Sequence, residues 1–352
     1  MKAVILKSNK NLIIQEKNIG SLDDDHCRVK IINAGICSSD IQRSYNHGAY
    51  FYPLIMGHEL AGEIVEVGNS VEKYKKGDRI AIFPLLPCFK CEPCANENYA
   101  QCHNYSYYGS RRDGGFAEYL DVNKWNIVSL PDNIALKDAA AIEPLCVIIH
   151  ALRVAELLDS ENTNSNTIVI IGAGFLGLLM TMTLNKYLPN ANITVIDRNK
   201  FKLDIAAKFA QRTVLLKSNK EWDKFIKKNA FKSVIEATGN PDAFIRSIEI
   251  VKHSGNLLWM GNITSELMLS KSIVSSILRK EITIKGTWNS VYKPKKPDDW
   301  KQAIQFIADG LQPSELITHF VTLDEIPDIL EKLYQHKMGK DRFNCIKVMV
   351  NN

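Results

Sequence analysis

The chain has 352 residues, which is enough for two domains of ordinary size. Its 45% hydrophobic and 24% charged residues are typical of a globular protein. With 44 basic and 39 acidic side chains, the net charge of +5 is small and spread along the chain, so it indicates neither a nucleic-acid nor a membrane partner. A modest cationic site for an acidic substrate is compatible with it.

The N-terminus and the cysteines indicate the compartment. Residues 1–7 contain too short an apolar run for a secretory signal, and no small-residue cleavage site follows. The longest apolar stretch, 175–184, has about half the length that a membrane span needs. Four of the eight cysteines fall within residues 88–102. We therefore expect a cytoplasmic protein in which clustered cysteines bind metal rather than form disulfides.

The first 145 or so residues are rich in short β-like runs separated by Gly, Pro, Asn and Asp. Clear examples are residues 28–32, 61–67 and 79–83. This pattern predicts an irregular, mostly β domain over residues 1–150, which includes a cysteine-bearing lobe at about 84–105.

The pattern changes after the polar stretch 159–166, which is a loop by composition. Buried-strand runs then alternate with helix-length segments, such as 201–209 and 243–251. Six strands separated by helices predict a doubly wound parallel sheet in an α/β domain over residues 151–288. The predicted strands are 167–171, 193–196, 214–216, 233–236, 256–260 and 281–285.

The last part of the chain returns to mixed character. It contains a predicted helix at 323–336 and a final strand at 345–350. We interpret residues 289–352 as a return to the first domain, so that the α/β domain is inserted between two parts of a catalytic domain.

A glycine motif follows the first strand of the α/β domain. It reads Gly172-Ala173-Gly174-Phe175-Leu176-Gly177, and Asp197 lies twenty positions after its last glycine. Such glycines permit a tight turn, close approach of a pyrophosphate and close helix packing, while the acidic residue binds ribose hydroxyls. A carboxylate at Asp197 favours NAD over NADP. The neighbouring Arg198 is an alternative contact for adenine or for a 2′-phosphate.

Two groups of residues have the chemistry of metal ligands. Four closely spaced cysteines predict a closed, structural zinc site, with a redox disulfide or an iron–sulfur cluster as less favoured alternatives. They are Cys88, Cys91, Cys94 and Cys102. The second group is scattered: a thiolate at Cys37, an imidazole at His58 and a carboxylate at Glu143 leave one zinc position open, as catalysis requires. Taken singly, each has a structural explanation, as a core cysteine, a loop histidine or a helix N-terminal charge.

These features together resemble the zinc-containing medium-chain dehydrogenase/reductases over essentially the whole chain. The resemblance is carried by Gly57-His58-Glu59 followed by Ala61-Gly62, by the four-cysteine lobe and by the glycine motif, in the family's order. Glu143 stands before Pro144 where alcohol dehydrogenases of the family place a cysteine ligand, which is a feature of the polyol dehydrogenase branch. The resemblance implies a GroES-like catalytic domain together with a Rossmann domain.

The resemblance also implies roles for individual residues. A catalytic zinc is expected at Cys37, His58, Glu59 and Glu143, with Glu59 a direct or exchanging ligand or a residue behind the ligands, and a structural zinc at the four lobe cysteines. Another divalent ion is an alternative at the mixed site. Ser39 corresponds to the hydroxyl that relays the proton in related enzymes, and a turn serine is the alternative.

Three stretches, 84–88, 109–119 and 277–281, resemble the polyol-phosphate dehydrogenases of this branch. They imply oxidation of galactitol 1-phosphate to tagatose 6-phosphate, with hydride transfer from a zinc-bound alkoxide to NAD⁺. The alternatives are sorbitol, xylitol or arabitol phosphate as substrate, or a dinucleotide-binding protein that has lost catalysis. Because relatives are dimers or tetramers, we expect a homodimer or homotetramer.

A phosphorylated substrate requires cationic side chains. Arg111 and Arg112 are the leading candidates, since guanidinium groups match phosphate oxygens bidentately. A solvated surface pair is the alternative for them. For the basic run at Lys293, Lys295 and Lys296, the solvated surface is the favoured interpretation.

Overall fold

The computed structural model describes residues 1–158, 167–263 and 265–352, so the predicted loop at 159–166 lies outside the described residues. The chain divides into two compact units. The first unit comprises Met1–Cys146 and Val291–Asn352, and the second comprises Val147–Ser290. These limits lie a few residues from the predicted boundaries at 150 and 288. No helix in the described parts of the chain is long and apolar enough to cross a membrane.

Strands and helices follow one another irregularly in the first unit, whereas in the second they alternate regularly. In chain order, the strands are β1 (Lys2–Ser8), β2 (Asn11–Glu16), β3 (His26–Gly35), β4 (Leu54–Ile55), β5 (Glu59–Val67), β6 (Arg79–Ile82), β7 (Leu85–Leu86), β8 (Ser106–Tyr107), β9 (Tyr119–Asn123), β10 (Ile127–Ser129), β11 (Thr167–Ile171), β12 (Asn192–Asp197), β13 (Arg212–Leu215), β14 (Phe231–Glu236), β15 (Val251–Trp259), β16 (Thr283–Gly286), β17 (His319–Val321) and β18 (Val348–Asn351). The helices are α1 (Ser38–Tyr45), α2 (Glu92–Ala95), α3 (Leu136–Ala139), α4 (Ile142–Val154), α5 (Phe175–Tyr187), α6 (Lys200–Ala206), α7 (Asn219–Ile226), α8 (Pro241–Ile250), α9 (Lys271–Arg279), α10 (Asp299–Ala308) and α11 (Ile326–Lys337).

The first unit is built around β3. Alternate residues of this strand, Cys27, Val29 and Ile31, are fully buried, as expected for a strand with one face on the core. The largest sheet has the order β10-β6-β5-β3-β18-β17, with β9 also paired to β3, and smaller sheets are formed by β2-β1-β4 and β7-β8. Strands from the N-terminal part of the chain and the C-terminal strand β18 therefore share one sheet.

Pairing within this sheet determines which residues meet at its end. Gly35 at the end of β3 is paired with Glu59 at the start of β5, and Met349 of β18 lies on the other side of Gly35. The final strand was predicted at 345–350, but β18 begins three residues later, at Val348. The residue before it, Lys347, is buried instead of solvated.

The second unit contains a six-stranded parallel sheet in the described residues, with the order β13-β12-β11-β14-β15-β16. Its first strand, β11, is a run of β-branched residues that are mostly buried, as expected for a strand covered on both faces. The strand order reverses next to β11, where ligands bind in doubly wound sheets. The predicted α/β fold is confirmed. β15 begins at Val251, several residues before its predicted start.

Candidate metal centres and cofactor site

The four cysteines of the lobe converge on one point. Their sulfur atoms all lie within 4.8 Å of one another, with Cys91 Sγ 3.4 Å from Cys94 Sγ and 3.8 Å from Cys102 Sγ. A tetrahedral zinc with Zn–S bonds of about 2.3 Å requires sulfur atoms roughly 3.8 Å apart. All four are free thiols, and the backbone N–H of Lys90 lowers the pKa of Cys88 to about 6. The set fits a structural zinc whose ligands are all cysteines.

The lobe is fastened to the rest of the first unit by aromatic and ionic contacts. The ring of Trp125 contacts those of Phe89 and Tyr99, at centroid distances of 5.2 and 5.3 Å. The carboxylate of Glu97 lies 2.6 Å from the ammonium of Lys296 and 3.6 Å from that of Lys293. Two lysines of the predicted solvated run therefore pair with the lobe.

A second group of possible ligands lies at the end of the β3–β5 pair. Ligand atoms of Cys37, His58 and Glu59 all lie within 4.8 Å of one another. Cys37 directly precedes α1, whereas His58 directly precedes β5 and Glu59 is the first residue of that strand. His58 Nδ1 is buried and makes no hydrogen bond within the described residues. A thiolate, an imidazole and a carboxylate in this arrangement fit a catalytic metal ion.

Asp40 supports two members of this group. Its fully buried carboxylate accepts the Cys37 backbone N–H at 2.9 Å and lies 3.6 Å from His58 Nδ1. Burial by itself raises the pKa of Asp40, but the charges of His58 and Arg43 and the Cys37 N–H lower it overall. An ionised Asp40 at this distance attracts the imidazole without a hydrogen bond, and a carboxylate beside a ligating histidine usually orients its ring.

Glu59 has a cationic partner that sequence analysis missed. The ammonium of Lys347 contacts the Glu59 carboxylate and donates to the Ile36 carbonyl at 2.9 Å, and both side chains are only 3% exposed. Gly35 gives the carboxylate its space, because a Cβ there would lie 2.0 Å from Glu59 Oε2. No local signal identifies Lys347, since a lysine before a final strand is ordinarily solvated.

Glu143 lies beside the group of Cys37, His58 and Glu59, but it is not among the residues whose ligand atoms all lie within 4.8 Å of one another. Its Oε1 accepts a hydrogen bond from the Tyr107 hydroxyl at 3.2 Å, and the Tyr107 ring contacts His58 with centroids 5.8 Å apart. Burial first, and then the negative charge of Glu59, raise the pKa of Glu143 to about 7. Direct ligation by Glu143 stays a prediction. Ser39 is half-buried in the first turn of α1, next to Cys37.

The glycine motif of the second unit forms the turn that its spacing predicts. Gly172 has φ +108°, and a Cβ on Gly177 would lie 2.0 Å from the Gly172 carbonyl oxygen. Gly174 caps α5 and has open space around it, so a phosphate can approach the helix N-terminus. Phe175 and Leu176 begin α5 and are half-buried.

Asp197 ends β12 next to this turn. Its two oxygens accept the backbone N–H groups of Ala173 at 2.7 Å and Asn199 at 2.8 Å. Each carboxylate oxygen retains a lone pair for a ribose hydroxyl. Arg198 is exposed. The turn, the open helix end and the carboxylate together fit the adenosine diphosphate half of a dinucleotide.

The two arginines of the predicted phosphate site point in different directions. The guanidinium of Arg111 lies over the rings of Tyr50 and Tyr105, each at 4.2 Å. That of Arg112 lies 5.0 Å from the ring of Tyr108 and donates to its hydroxyl at 3.3 Å. Arg111 therefore extends towards Tyr105, whereas Arg112 extends towards Tyr108.

Comparison with protein families gives two matches. The alcohol dehydrogenase GroES-like domain matches residues 23–132, and the zinc-binding dehydrogenase domain matches residues 176–309.

Individual proteins are similar over nearly the whole chain. Galactitol 1-phosphate 5-dehydrogenase of Escherichia coli is 32% identical over 346 residues, which cover 96% of this chain and 98% of that protein. The crystal structure of galactitol-1-phosphate dehydrogenase from Escherichia coli has a TM-score of 0.88 at 32% identity, with full coverage of both chains. Sorbitol dehydrogenase of Bacillus subtilis is 30% identical, covering 99% of this chain and 97% of its own. An Escherichia coli alcohol dehydrogenase (rspB) solved with NADH is 26% identical, with a TM-score of 0.88 and coverage of 100% and 99%.

Replacing one sulfur ligand tests the lobe. We expect Cys94→Ser to reduce bound zinc by about one ion per chain and to lower the free energy of unfolding by at least about 2 kcal/mol, because a metal site is lost. Metal analysis and denaturant unfolding provide the measurements. Cys345→Ser is the matched control, since Cys345 lies outside the lobe and accepts a bond from Thr318 at 3.6 Å. Unchanged zinc content in Cys94→Ser would contradict the assignment.

Removing the partner of Glu59 tests the buried ion pair. In metal-free protein, Lys347→Met should lower the free energy of unfolding by about 3 kcal/mol, because it leaves an uncompensated buried carboxylate. Saturating zinc should offset part of this loss by supplying positive charge. The Glu59→Gln/Lys347→Met double variant, compared by denaturant unfolding, should recover most of the stability. A double variant as unstable as the single one would show that charge is not the cause.

Proposed function

This chain belongs to the zinc-binding alcohol dehydrogenase family, and we propose that it oxidises galactitol 1-phosphate to tagatose 6-phosphate with NAD⁺ as hydride acceptor. The observation that carries the proposal is the 32% identity to galactitol 1-phosphate 5-dehydrogenase over 96% of the chain. The grouping of Cys37, His58 and Glu59 supports it, since it gives this chain the donor set of a catalytic zinc.

Cys37, His58 and Glu59 are the residues that would hold the ion. A zinc ion bound there supplies a Lewis acid that lowers the pKa of the reacting hydroxyl. Asp40 keeps the imidazole oriented, and Lys347 moderates the charge of Glu59. Glu59 would therefore share its negative charge between Lys347 and a bound cation.

The hydroxyl proton must leave as the carbonyl forms. We assign its relay to Ser39, which follows Cys37 by two residues in the first turn of α1. The serine oxygen would accept the substrate proton while the serine's own proton passes to water, so that the proton is released to solvent. Glu143 and Tyr107 form a hydrogen-bonded pair beside the metal group. The Tyr107 hydroxyl donates to Glu143, so the carboxylate is positioned to accept a second hydrogen bond from a substrate hydroxyl.

The second unit would bind NAD⁺, which accepts the hydride from the substrate carbon. The N-terminus of α5 offers its free N–H groups to the pyrophosphate. Asp197 accepts the ribose hydroxyls and repels a 2′-phosphate, so it selects NAD⁺ over NADP⁺. The similarity to a protein solved with NADH supports a nicotinamide dinucleotide as the cofactor.

A second candidate is the oxidation of an unphosphorylated polyol. It is favoured by the 30% identity to sorbitol dehydrogenase over nearly the whole chain. The metal group and the glycine turn serve this reaction equally well, so only the recognition of phosphate separates the two candidates.

A substrate panel tests the proposal. We expect zinc-loaded protein to form NADH from galactitol 1-phosphate with a kcat/KM at least about 100-fold above that for galactitol, sorbitol or xylitol, because a phosphate adds charged hydrogen bonds. Activity with arabitol phosphate tests whether the enzyme also selects the carbon chain of a phosphorylated polyol. Cys37→Ser is the inactive control for contaminating dehydrogenases. Preference for an unphosphorylated polyol would establish the second candidate, and inactivity throughout would refute both.

Removing the charge of Asp197 tests cofactor selection. Asp197→Asn should lower the preference for NAD⁺ over NADP⁺ by about 10-fold or more, because repulsion of the 2′-phosphate is lost. The ratio of kcat/KM for the two cofactors is the measurement. Asp204→Asn, at an exposed α6 residue paired with Lys200, is the matched control. An unchanged ratio in Asp197→Asn would assign the selection to another residue.

A further inference from the structure

The guanidinium of Arg111 lies over two aromatic rings. Its carbon lies 4.2 Å from the ring centroid of Tyr50 and 4.2 Å from that of Tyr105. Within the described residues, no carboxylate forms an ion pair with it. Stacking uses the faces of the guanidinium and leaves the N–H donors at its edge. Arg111 therefore carries a positive charge that no carboxylate in the described residues neutralises, on a group whose N–H donors can bind a phosphate bidentately.

The turn that carries Arg111 is joined to the metal group. The backbone N–H of Arg111 donates to the Tyr107 carbonyl at 2.9 Å. The ring of Tyr107 contacts His58, and its hydroxyl donates to Glu143. The turn also packs against the segment before His58, since a Cβ on Gly109 would lie 2.5 Å from the Gly57 carbonyl oxygen. Arg111 thus has a fixed position relative to the ligands of the metal.

The segment that carries Tyr50 is fixed to the same turn. Gly114 donates to the Ile55 carbonyl at 2.7 Å, and the Ile55 N–H donates to Asp113 Oδ1 at 3.0 Å. Closer to Tyr50, the Tyr52 hydroxyl accepts the Ala49 N–H at 3.0 Å and closes the loop. Tyr50 itself is 69% exposed, so its contact with Arg111 is made at the surface and is not imposed by core packing.

Arg112 provides an internal contrast. Its side chain lies against Tyr108, which is 2% exposed and whose hydroxyl accepts the Asn123 N–H at 3.0 Å. It lines a separate cavity, together with Lys17 and Asp121. Arg112 therefore stabilises the base of the turn, although it is adjacent to Arg111 and chemically identical to it.

We propose that Arg111 binds the phosphate of the substrate and that Tyr50 and Tyr105 hold its guanidinium ready as an aromatic clamp. This inference rests on the proposed function, because it assigns the phosphate selectivity of that reaction. The clamp reduces the number of conformations that Arg111 loses when the phosphate binds. Tyr50 and Tyr105 are positioning residues, and Arg111 is the residue that touches the substrate.

Steady-state kinetics of holoenzyme variants test the clamp. Arg111→Ala should raise KM for galactitol 1-phosphate by about 10- to 100-fold, with a much smaller change in kcat and in kcat/KM for galactitol. Tyr105→Leu should raise the same KM by about 3- to 10-fold, and Tyr105→Phe, which keeps the ring, should restore it. Inorganic phosphate should inhibit the wild-type enzyme competitively against galactitol 1-phosphate, and this inhibition should weaken in Arg111→Ala.

Arg112→Ala is the matched control for charge and position. It should lower thermal stability without a selective effect on the phosphorylated substrate. Equal losses for galactitol and galactitol 1-phosphate in Arg111→Ala, or an equal selective effect of Arg112→Ala, would overturn the clamp. If Arg111→Ala does not fold, Arg111→Lys and Tyr105→Leu replace it in the test. The clamp would also be overturned if both of these variants kept the selectivity for the phosphorylated substrate. A wild-type enzyme without preference for the phosphorylated substrate would instead refute the proposed function.

Discussion

The catalytic end of the first unit depends on neutralisation of the buried carboxylate of Glu59. An ionised carboxylate taken out of water costs several kcal/mol unless positive charge lies beside it. Lys347 supplies that charge from the residue before β18, and a cation among Cys37, His58 and Glu59 would supply it from the other side. Gly35 must face the carboxylate, because any Cβ there would overlap it. The charge of Glu59 therefore constrains residues from three chain segments: the segment of Gly35, the segment of Glu59 and the segment of Lys347.

Features encoded by contiguous residues were predictable from the sequence. Local sequence alone predicts the glycine turn, the strand β11 and the four-cysteine lobe. The structure has each of them at the residues of the corresponding motif. The alternation of strands and helices similarly predicts the parallel sheet, since chirality leaves few ways to connect such elements. The spacing of Cys37 and His58 in the sequence does not indicate that they lie close together. That prediction came from the resemblance to a family.

The residues that were missed act through long-range contacts. Lys347 reaches Glu59 across almost the whole chain, and Tyr107 reaches Glu143 between elements with no common motif. Nor does the sequence distinguish Arg111 from Arg112, because the direction of each side chain is set by the turn at Gly109. Glu97 and its two lysine partners are also far apart in sequence. Such contacts follow from tertiary packing, for which a single sequence has no local pattern.

Under the proposed function, the turn between Tyr107 and Arg112 would join the metal group to the residues that recognise phosphate. Its first residue contacts His58 and Glu143, whereas Arg111, whose N–H is bonded to the Tyr107 carbonyl, lies within the aromatic clamp. Cys37, His58 and Glu59 come from other segments, so a change in the outer part of the turn would alter what is recognised without altering this donor set. On this proposal, enzymes that share this metal group can differ in substrate, because the residue at the position of Arg111 can change while the donor set for the ion stays the same.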